Sequence, residues 1–264
     1  MIYLNGRGVY INKFPNGESR IETEGLKIEK ENIIKLKFED DKDIASLIFL
    51  KGHLDDLGLE TSLELLYIPY SRMDRTEGLN IFTLKYFARL INSLNFKEVK
   101  VYEAHSDVSL ALIDKVKNVE MTKVLVHSVL EGIRHKEKVY LVYPDEGARK
   151  RYESKIDYDK VITASKDRDF ETGEIKSIEI NGEIEEGGFD CIIVDDLCSR
   201  GGTFILIAEK LKKIGAKKIY LVVTHCENTV FEGDLLKGDL IENIVTTNSI
   251  LDRQDDKIII KNII

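Results

Sequence analysis

The sequence predicts an α/β protein made of two tandem domains, each built on a mostly parallel sheet. Short β-rich runs alternate with stretches of helical periodicity along most of the chain, the pattern of βαβ units feeding a parallel sheet. The length of 264 residues exceeds the usual size of one domain, so two of ordinary size are expected. The composition is 43% hydrophobic, enough for a sizeable core and unlike a disordered or collagen-like chain.

Along the first half, "LELLYIP" reads as a strand, "IFTLKYFARLINSL" as a helix and "EVKVYEA" as the next strand. One βα series ends and another begins near Glu120 to Leu125. This gives domains of 1–122 and 123–264, with the last strand a candidate to return to the first domain. In the second half, "KVYLVYP", "CIIVDD" and "KKIYLVVTH" read as strands. Phe204, Ile207, Ala208, Leu211 and Ile214 then recur at helical spacing, and Gly215 stands where a helix would stop. "CIIVDDLCSRGGTF" is therefore strand, turn and helix start. The charged runs "FEDDKD" and "EKLKKIGAKK" read as solvated faces.

A formal charge of -8 argues against a broad nucleic-acid-binding surface. The N-terminus lacks the layout of a signal peptide, and no apolar run approaches the ~18 residues needed to span a bilayer, so no membrane partner is expected. Cys191, Cys198 and Cys226 are too few and too irregularly spaced for a disulfide framework or a zinc site, which suits a reducing cytoplasm.

In a parallel sheet, ligands bind beyond the carboxyl ends of the strands, where Asp195 and Asp196 are expected. Adjacent carboxylates can accept hydrogen bonds from a vicinal diol or hold a metal, while Gly201 and Gly202 let backbone N–H groups approach a phosphate at a helix N-terminus. That combination describes a sugar-phosphate site. The plainer reading, in which the two acids are turn and cap residues and the glycines only tighten the turn, stays open on this motif alone. The three prolines, Pro15, Pro69 and Pro144, each sit beside a polar cluster, as expected of rigid loops at a ligand face.

"IVDDLCSRGGT" resembles the phosphoribosyl-diphosphate motif of type I phosphoribosyltransferases and of ribose-phosphate diphosphokinases (PRPP synthetases). The remaining segments favour the second group. "KFPNGES" resembles its adenine-binding segment, "IPYSRMDR" its ATP-binding run, "YEAHSD" the segment supplying a magnesium-liganding His, "YPDEGARKR" the segment supplying a metal-linked Asp, and "SKDRD" the catalytic Lys-x-Arg loop. "VTHCENTVFEG" and "TTNSI" match in the expected order. The resemblance is to a shortened, divergent member and runs from Phe14 to about Ile250.

The resemblance implies two phosphoribosyltransferase-like (Rossmann-like) domains and transfer of the β,γ-diphosphate of ATP to the anomeric hydroxyl of a ribose 5-phosphate unit, releasing AMP. It assigns Phe14, Asn16, Glu18, Arg72, Met73 and His105 to ATP, and His105 and Asp145 to magnesium. Lys166 and Arg168 become the catalytic cations, suited to a negative phosphoryl transition state. Asp195, Asp196, Ser199, Arg200, Gly201, Gly202 and Thr203 hold the ribose phosphate. It also implies a homo-oligomer, a dimer or a hexamer built from dimers, in which the "FPNGE" loop completes a neighbour's ATP site. His53, His127, His135 and His225 receive no role.

The departures from the family pattern bear on the adenine contacts, through Asn16 and Met73, and on the acceptor, through the phosphate loop. The first strand-helix unit is missing before "FPNGE", Asn16 stands where Asp is usual, and Met73 where Gln is usual. The loop Ser199-Arg200-Gly201-Gly202-Thr203 replaces the usual Asp-Thr-Gly-Gly-Thr, which adds positive charge and a guanidinium suited to phosphate. Ribose 5-phosphate therefore competes with ADP-ribose as acceptor, the latter in an NAD-rebuilding route. A phosphoribosyltransferase would share the loop but has no use for "FPNGE", "YSRMD" and "SKDRD". A non-catalytic regulator would be expected to have lost Lys166, Arg168, His105 or Asp145.

Overall fold

The computed structural model describes residues 1–76, 78–168, 175–185 and 187–264, with backbone only at 166–168 and 175–177. The chain divides into two compact units, Met1–Val119 with Ile264, and Glu120–Ile263.

The first unit runs β1 (Ile2–Leu4), β2 (Arg7–Gly8), β3 (Tyr10–Lys13), β4 (Ser19–Glu22), β5 (Glu31–Leu36), α1 (Lys42–Asp56), β6 (Glu60–Leu65), α2 (Thr83–Ser93), β7 (Val99–Tyr102), α3 (Asp107–Leu112) and β8 (Val116–Val119). Its main sheet has the order β2-β1-β5-β6-β7-β8, parallel from β5 to β8. Asn5 and Gly6, both at positive φ (49° and 80°), turn β1 into β2, as the Asn-Gly pair favours in a tight hairpin. β3 and β4 form a separate two-stranded ribbon. Alternation along the strands buries Ile34, Leu36, Leu63, Leu65, Val99 and Val101 in one cluster with Leu47, Leu50 and Leu54 of α1 and Leu84, Phe87 and Ile91 of α2.

The second unit runs α4 (Met121–Gly132), β9 (Val139–Tyr143), α5 (Glu146–Tyr152), β10 (Val161–Arg168), β11 (Ile175–Asn181), β12 (Phe189–Cys198), α6 (Gly202–Lys213), β13 (Ala216–Cys226), β14 (Asn243–Thr247) and β15 (Ile258–Lys261). The order is β11-β10-β9-β12-β13-β14-β15, and every pairing except β10 with β11 is parallel. The chain leaves β9 towards β10 on one side and returns to β12 on the other, so the strand order reverses between β9 and β12. Such a switch point opens a crevice at the carboxyl ends of the two strands, where ligands bind in open α/β sheets. Pro144 and Asp145 follow β9, and Asp195 and Asp196 lie near the end of β12, so both sequence motifs flank that crevice.

Three expectations need correction. The last strand, β15, stays in the second sheet by pairing with β14, because Ile258–Lys261 align in parallel register with Ile244–Thr247. Ile214 is 45% exposed, since α6 ends at Lys213 and Gly215 (φ 107°) turns the chain away from the buried face of Phe204, Ile207, Ala208 and Leu211. Within "FEDDKD", Asp43 is buried and accepts a hydrogen bond from the Glu39 N–H at 2.8 Å, so it closes the start of α1. Among the described residues, no helix is long and apolar enough to cross a membrane.

Candidate ribose-phosphate and nucleotide sites

β12 buries Cys191, Ile192, Ile193 and Val194 on both faces of the sheet, then changes to Asp195 and Asp196 at the crevice. The turn that follows is shaped by glycine. Gly201 caps α6 at φ 81°, and a Cβ there would lie 2.7 Å from Leu235 Cδ2. At Gly202 a Cβ would meet nothing within 4 Å, so the first turn of α6 opens outward. Its leading backbone N–H groups have no partner within the helix and suit an anion.

The turn rests on the segment after β13. The Glu227 N–H donates to the Cys198 carbonyl at 2.8 Å, and Ser199 Oγ lies 3.1 Å from Thr229 Oγ1, which is itself 3.0 Å from Glu227 Oε2. At Gly233 a Cβ would sit 2.1 Å from the Arg200 carbonyl oxygen, so only glycine lets the two segments meet. "VTHCENTVFEG" thus acts as a buttress for the turn that opens α6, a role its sequence alone did not reveal. The half-buried Thr203 opens α6, while Arg200 is exposed and its Nη2 pairs with Glu232 Oε2 at 2.8 Å.

The two acids are not equivalent. Asp196 is 4% exposed and paired with Arg151 Nη1, whereas Asp195 is partly accessible and accepts the Asp196 N–H at 2.9 Å. Burial, the neighbouring Asp196 charge and the charge of Asp145 push the Asp195 carboxyl well above the usual range. Burial alone would lower the Arg151 pKa, but the Asp196 carboxylate outweighs it and raises the guanidinium further. Arg151, quoted within "YPDEGARKR" but given no role from sequence, is therefore part of this site.

Asp145 caps α5, its Oδ1 accepting the Ala148 N–H at 3.0 Å, and a Cβ on Gly147 would approach that oxygen to 3.1 Å. Its charge acts on Asp195, so the two carboxyls belong to one crevice. Among the described residues, no three His, Cys, Asp or Glu side chains converge into a self-sufficient metal centre. The oxygen donors present still fit magnesium, which takes one or two carboxylates and completes its shell with water and substrate phosphate. Lys166 and Arg168 lie not on a loop but at the end of β10, paired antiparallel with β11, where the register shifts between Asp167 and Arg168. Their side chains, and Asp169 of the same motif, lie outside the described residues.

In the first unit, Phe14 is 49% exposed at the tip of the β3–β4 ribbon, and Glu18 is exposed beside it. Asn16 Oδ1 accepts the Glu18 N–H at 3.2 Å, so this side chain shapes the turn, as Asp would in its place. Arg72 is exposed and Met73 half-buried. Asp74, missed by sequence reasoning, is buried and accepts Arg75 Nε at 3.0 Å. Burial opposes its ionisation, but hydrogen bonds from Ser106 and Arg75 and the nearby charges of Arg75 and His105 hold its carboxyl below the usual range. The half-buried His105 is thereby brought into one cluster with the "YSRMDR" segment. Tyr70 and Glu103, non-glycine residues at φ 63° and 48°, bend the chain in the same two segments, as strained backbone often does at functional sites.

A groove of about 630 Å³, lined by Ile178, Ile180, Lys210 and Ile214 among others, lies at the opposite end of α6 from the turn that opens it and includes none of the expected residues.

The family model described as phosphoribosyl synthetase-associated domain matches residues 150–263. The ribose-phosphate pyrophosphokinase of Thermococcus kodakarensis is 27% identical over 252 residues, covering 92% of this chain and 85% of that protein. The enzyme of the same name from Pasteurella multocida is 31% identical over 192 residues, covering 70% of this chain and 59% of its own length. The crystal structure of phosphoribosylpyrophosphate synthetase from Mycobacterium smegmatis superposes with a TM-score of 0.77 at 17% identity, covering 97% of this chain and 86% of that one, and shows the shared fold. The chain is thus similar in sequence over most of its length to ribose-phosphate pyrophosphokinases and shares the fold of a phosphoribosylpyrophosphate synthetase.

Proposed function

We propose that the protein transfers the β,γ-diphosphate of ATP to the anomeric hydroxyl of ribose 5-phosphate, giving 5-phosphoribosyl 1-diphosphate and AMP. The observation that carries this is the crevice between β9 and β12, where an acid pair and a glycine-opened helix start lie side by side. In it the α6 turn, with Ser199, Gly201, Gly202 and Thr203, holds the 5'-phosphate, and the acid pair orients the ribose so that its 1-hydroxyl meets the β-phosphorus in line. Phe14, Asn16, Glu18, Arg72, Met73 and His105 serve ATP. His105 in the first unit and Asp145 in the second would each serve a separate magnesium position, the ion's chemistry when bound being to neutralise and orient phosphate oxygens. Lys166 and Arg168 stabilise charge on the transferred group, so no covalent enzyme intermediate is required.

Incubation with ATP, magnesium and ribose 5-phosphate should release AMP and form the 1-diphosphate, both visible by phosphorus NMR. ADP as the sole nucleotide product would exclude diphosphoryl transfer. Lys166→Ala should lower kcat by about a hundredfold or more with little change in acceptor KM, because its charge is needed in the transition state. An unchanged kcat would remove Lys166 from the mechanism.

A second acceptor, ADP-ribose, is favoured by one observation: the exposed guanidinium of Arg200 stands on the phosphate turn itself. A homo-oligomer in which the β3–β4 ribbon reaches a neighbour's ATP site accords with the exposure of Phe14 and Tyr10, 49% and 65%.

A further inference from the structure

We infer that Tyr70 is a positioning residue of the nucleotide segment: its side chain latches onto Phe38, Asp41 and Phe87 and so holds the turn that presents Arg72 and Met73 to ATP. This deepens the proposed reading and rests on it for the identity of the nucleotide.

The backbone gives the first reason. Pro69 and Tyr70 occupy the two central positions of a turn closed by the Ser71 N–H, which donates to the Ile68 carbonyl at 3.3 Å. Tyr70 stands at φ 63°. A turn with proline first and a positive φ second normally carries glycine or asparagine there, because a Cβ in the left-handed region crowds the following carbonyl. A tyrosine persists at such a position only where its surroundings hold it. Three contacts do so. The half-buried ring packs against Phe38 and Phe87, with centroids 5.9 Å and 5.6 Å away and planes tilted by 60° and 59°, within the geometry aromatic pairs favour. The hydroxyl donates to Asp41 Oδ1. Burial first, then this bond and the Asp41 charge, push the phenol up to about 12, so it stays a donor throughout the physiological range.

Asp41 gives the second reason. It stands at the N-cap of α1, where an aspartate usually accepts from the first helical N–H groups, yet its side chain makes no cap bond and takes the Tyr70 hydroxyl instead. Phe38 and Asp41 follow β5, and Phe87 belongs to α2. The latch therefore ties the segment after β6 to the segment after β5 and to α2. Because β5 and β6 are parallel, both segments lie at the carboxyl end of the sheet, the ligand side of such folds.

The effect reaches Arg72 and Met73 through the main chain. The Met73 N–H donates to the Tyr70 carbonyl at 3.0 Å, and the Met73 carbonyl accepts the Leu84 N–H of α2 at 3.4 Å. Arg72 lies exposed between these two fixed points.

The test compares full-length wild type with Tyr70→Phe, Asp41→Ala, the double variant Tyr70→Phe/Asp41→Ala, and Tyr70→Gly, which suits the backbone but deletes the latch. Tyr70→Phe should raise the Kd for ATP with magnesium, measured by calorimetry, and the KM for ATP by about fivefold, the net worth of one partly exposed hydrogen bond. The Kd for ribose 5-phosphate should stay within about twofold of wild type, and kcat should fall less than the ATP KM rises. Once Asp41 is absent the hydroxyl has lost its acceptor, so the double variant should bind ATP as Asp41→Ala does. Tyr70→Gly should weaken ATP binding most. An unchanged ATP Kd in Tyr70→Phe, a further loss in the double variant, or an equal loss of ribose 5-phosphate affinity would each overturn the inference.

Amide hydrogen exchange at Met73 gives a readout free of any ligand. It should quicken about fivefold in Tyr70→Phe, while exchange at Ile91, on the buried face of α2, keeps the wild-type rate. Equal changes at both amides, or none at Met73, would also overturn the positioning role. Failure of the wild type to bind ATP would count against the proposed function instead, while the exchange result still decides the role of Tyr70. Should Tyr70→Gly fail to fold, Tyr70→Phe and the double variant decide by the same criteria.

Discussion

Gly201 and Gly202 are adjacent, yet the space around them gives them different work. An alanine at 201 would take a left-handed backbone at φ 81° and press against Leu235. The first effect alone costs roughly 1–2 kcal/mol. Gly201→Ala should therefore lower the melting temperature clearly. Gly202→Ala meets open space in the apo protein and should fold normally, while its methyl crowds the position offered to phosphate and raises the acceptor KM. Thermal denaturation and acceptor kinetics on both variants check this; a Gly202→Ala protein with wild-type KM would move the phosphate away from the helix start. Arg200 makes an exposed ion pair with Glu232, their side chains 71% and 58% exposed. Exposed pairs contribute about 0–1 kcal/mol, so exchanging this partner for a phosphate costs little. If ADP-ribose is an acceptor, Arg200→Thr should lower kcat/KM for it by about tenfold, the worth of one charge-assisted contact. Ribose 5-phosphate should suffer less, and equal losses on both would end the selectivity argument.

Among the elements, β6 places Glu64 in register with Lys35 of β5 and Lys100 of β7. Glu64 Oε1 accepts Lys100 Nζ at 2.6 Å, Oε2 accepts the Tyr102 hydroxyl at 2.9 Å, and Lys35 Nζ lies 3.5 Å away. Burial opposes ionisation of this side chain, but the hydrogen bonds and the two ammonium charges hold its carboxyl below the ordinary 4.5. Because the folded pKa is the lower one, the stabilisation is present above the unfolded value of 4.5 and is lost as pH falls through the folded one. Glu64→Gln should thus cost about 1–3 kcal/mol at pH 7 and flatten the acid limb of the stability curve. Denaturant unfolding of wild type and variant between neutral and acid pH measures both. A variant that keeps the wild-type slope below pH 4.5 would place the acid sensitivity elsewhere.

For the whole molecule, the segments proposed for ATP lie in the first unit and the crevice proposed for ribose phosphate in the second. The proposed sharing of an ATP site between subunits predicts complementation. Phe14→Ala and Asp195→Asn should each be nearly inactive alone, and mixed after subunit exchange should recover up to about a quarter of wild-type activity, the statistical yield when half the dimers are mixed and each has one intact site. Sedimentation gives the oligomeric state of each variant. Additive residual activities from oligomers known to exchange would show that each chain completes its own site.

The sequence by itself determined what depends on local chemistry. Short β-rich runs and helical patterns marked β6, β7, β9, β12, β13, α2 and α6, because strands and helices each impose their own run length and side-chain spacing. The Asp195–Thr203 stretch was legible as strand, turn and helix start for the same reason, since Gly201 supplies a backbone shape that few other residues adopt. The tertiary structure decided the rest through contacts distant in the chain. Arg151 and Asp196 are separated by 45 positions, so no spacing rule pairs them, and the adjacent acids looked alike until burial separated them. Gly233 became necessary only because the Arg200 carbonyl packs against it, and Asp74 joined the His105 cluster through the end of another strand. The Lys166–Arg168 segment read as a loop because its charged residues hide the strand pairing that β11 supplies. Local patterns are written in consecutive residues, whereas the partner of a buried charge is chosen by whichever element folds over it.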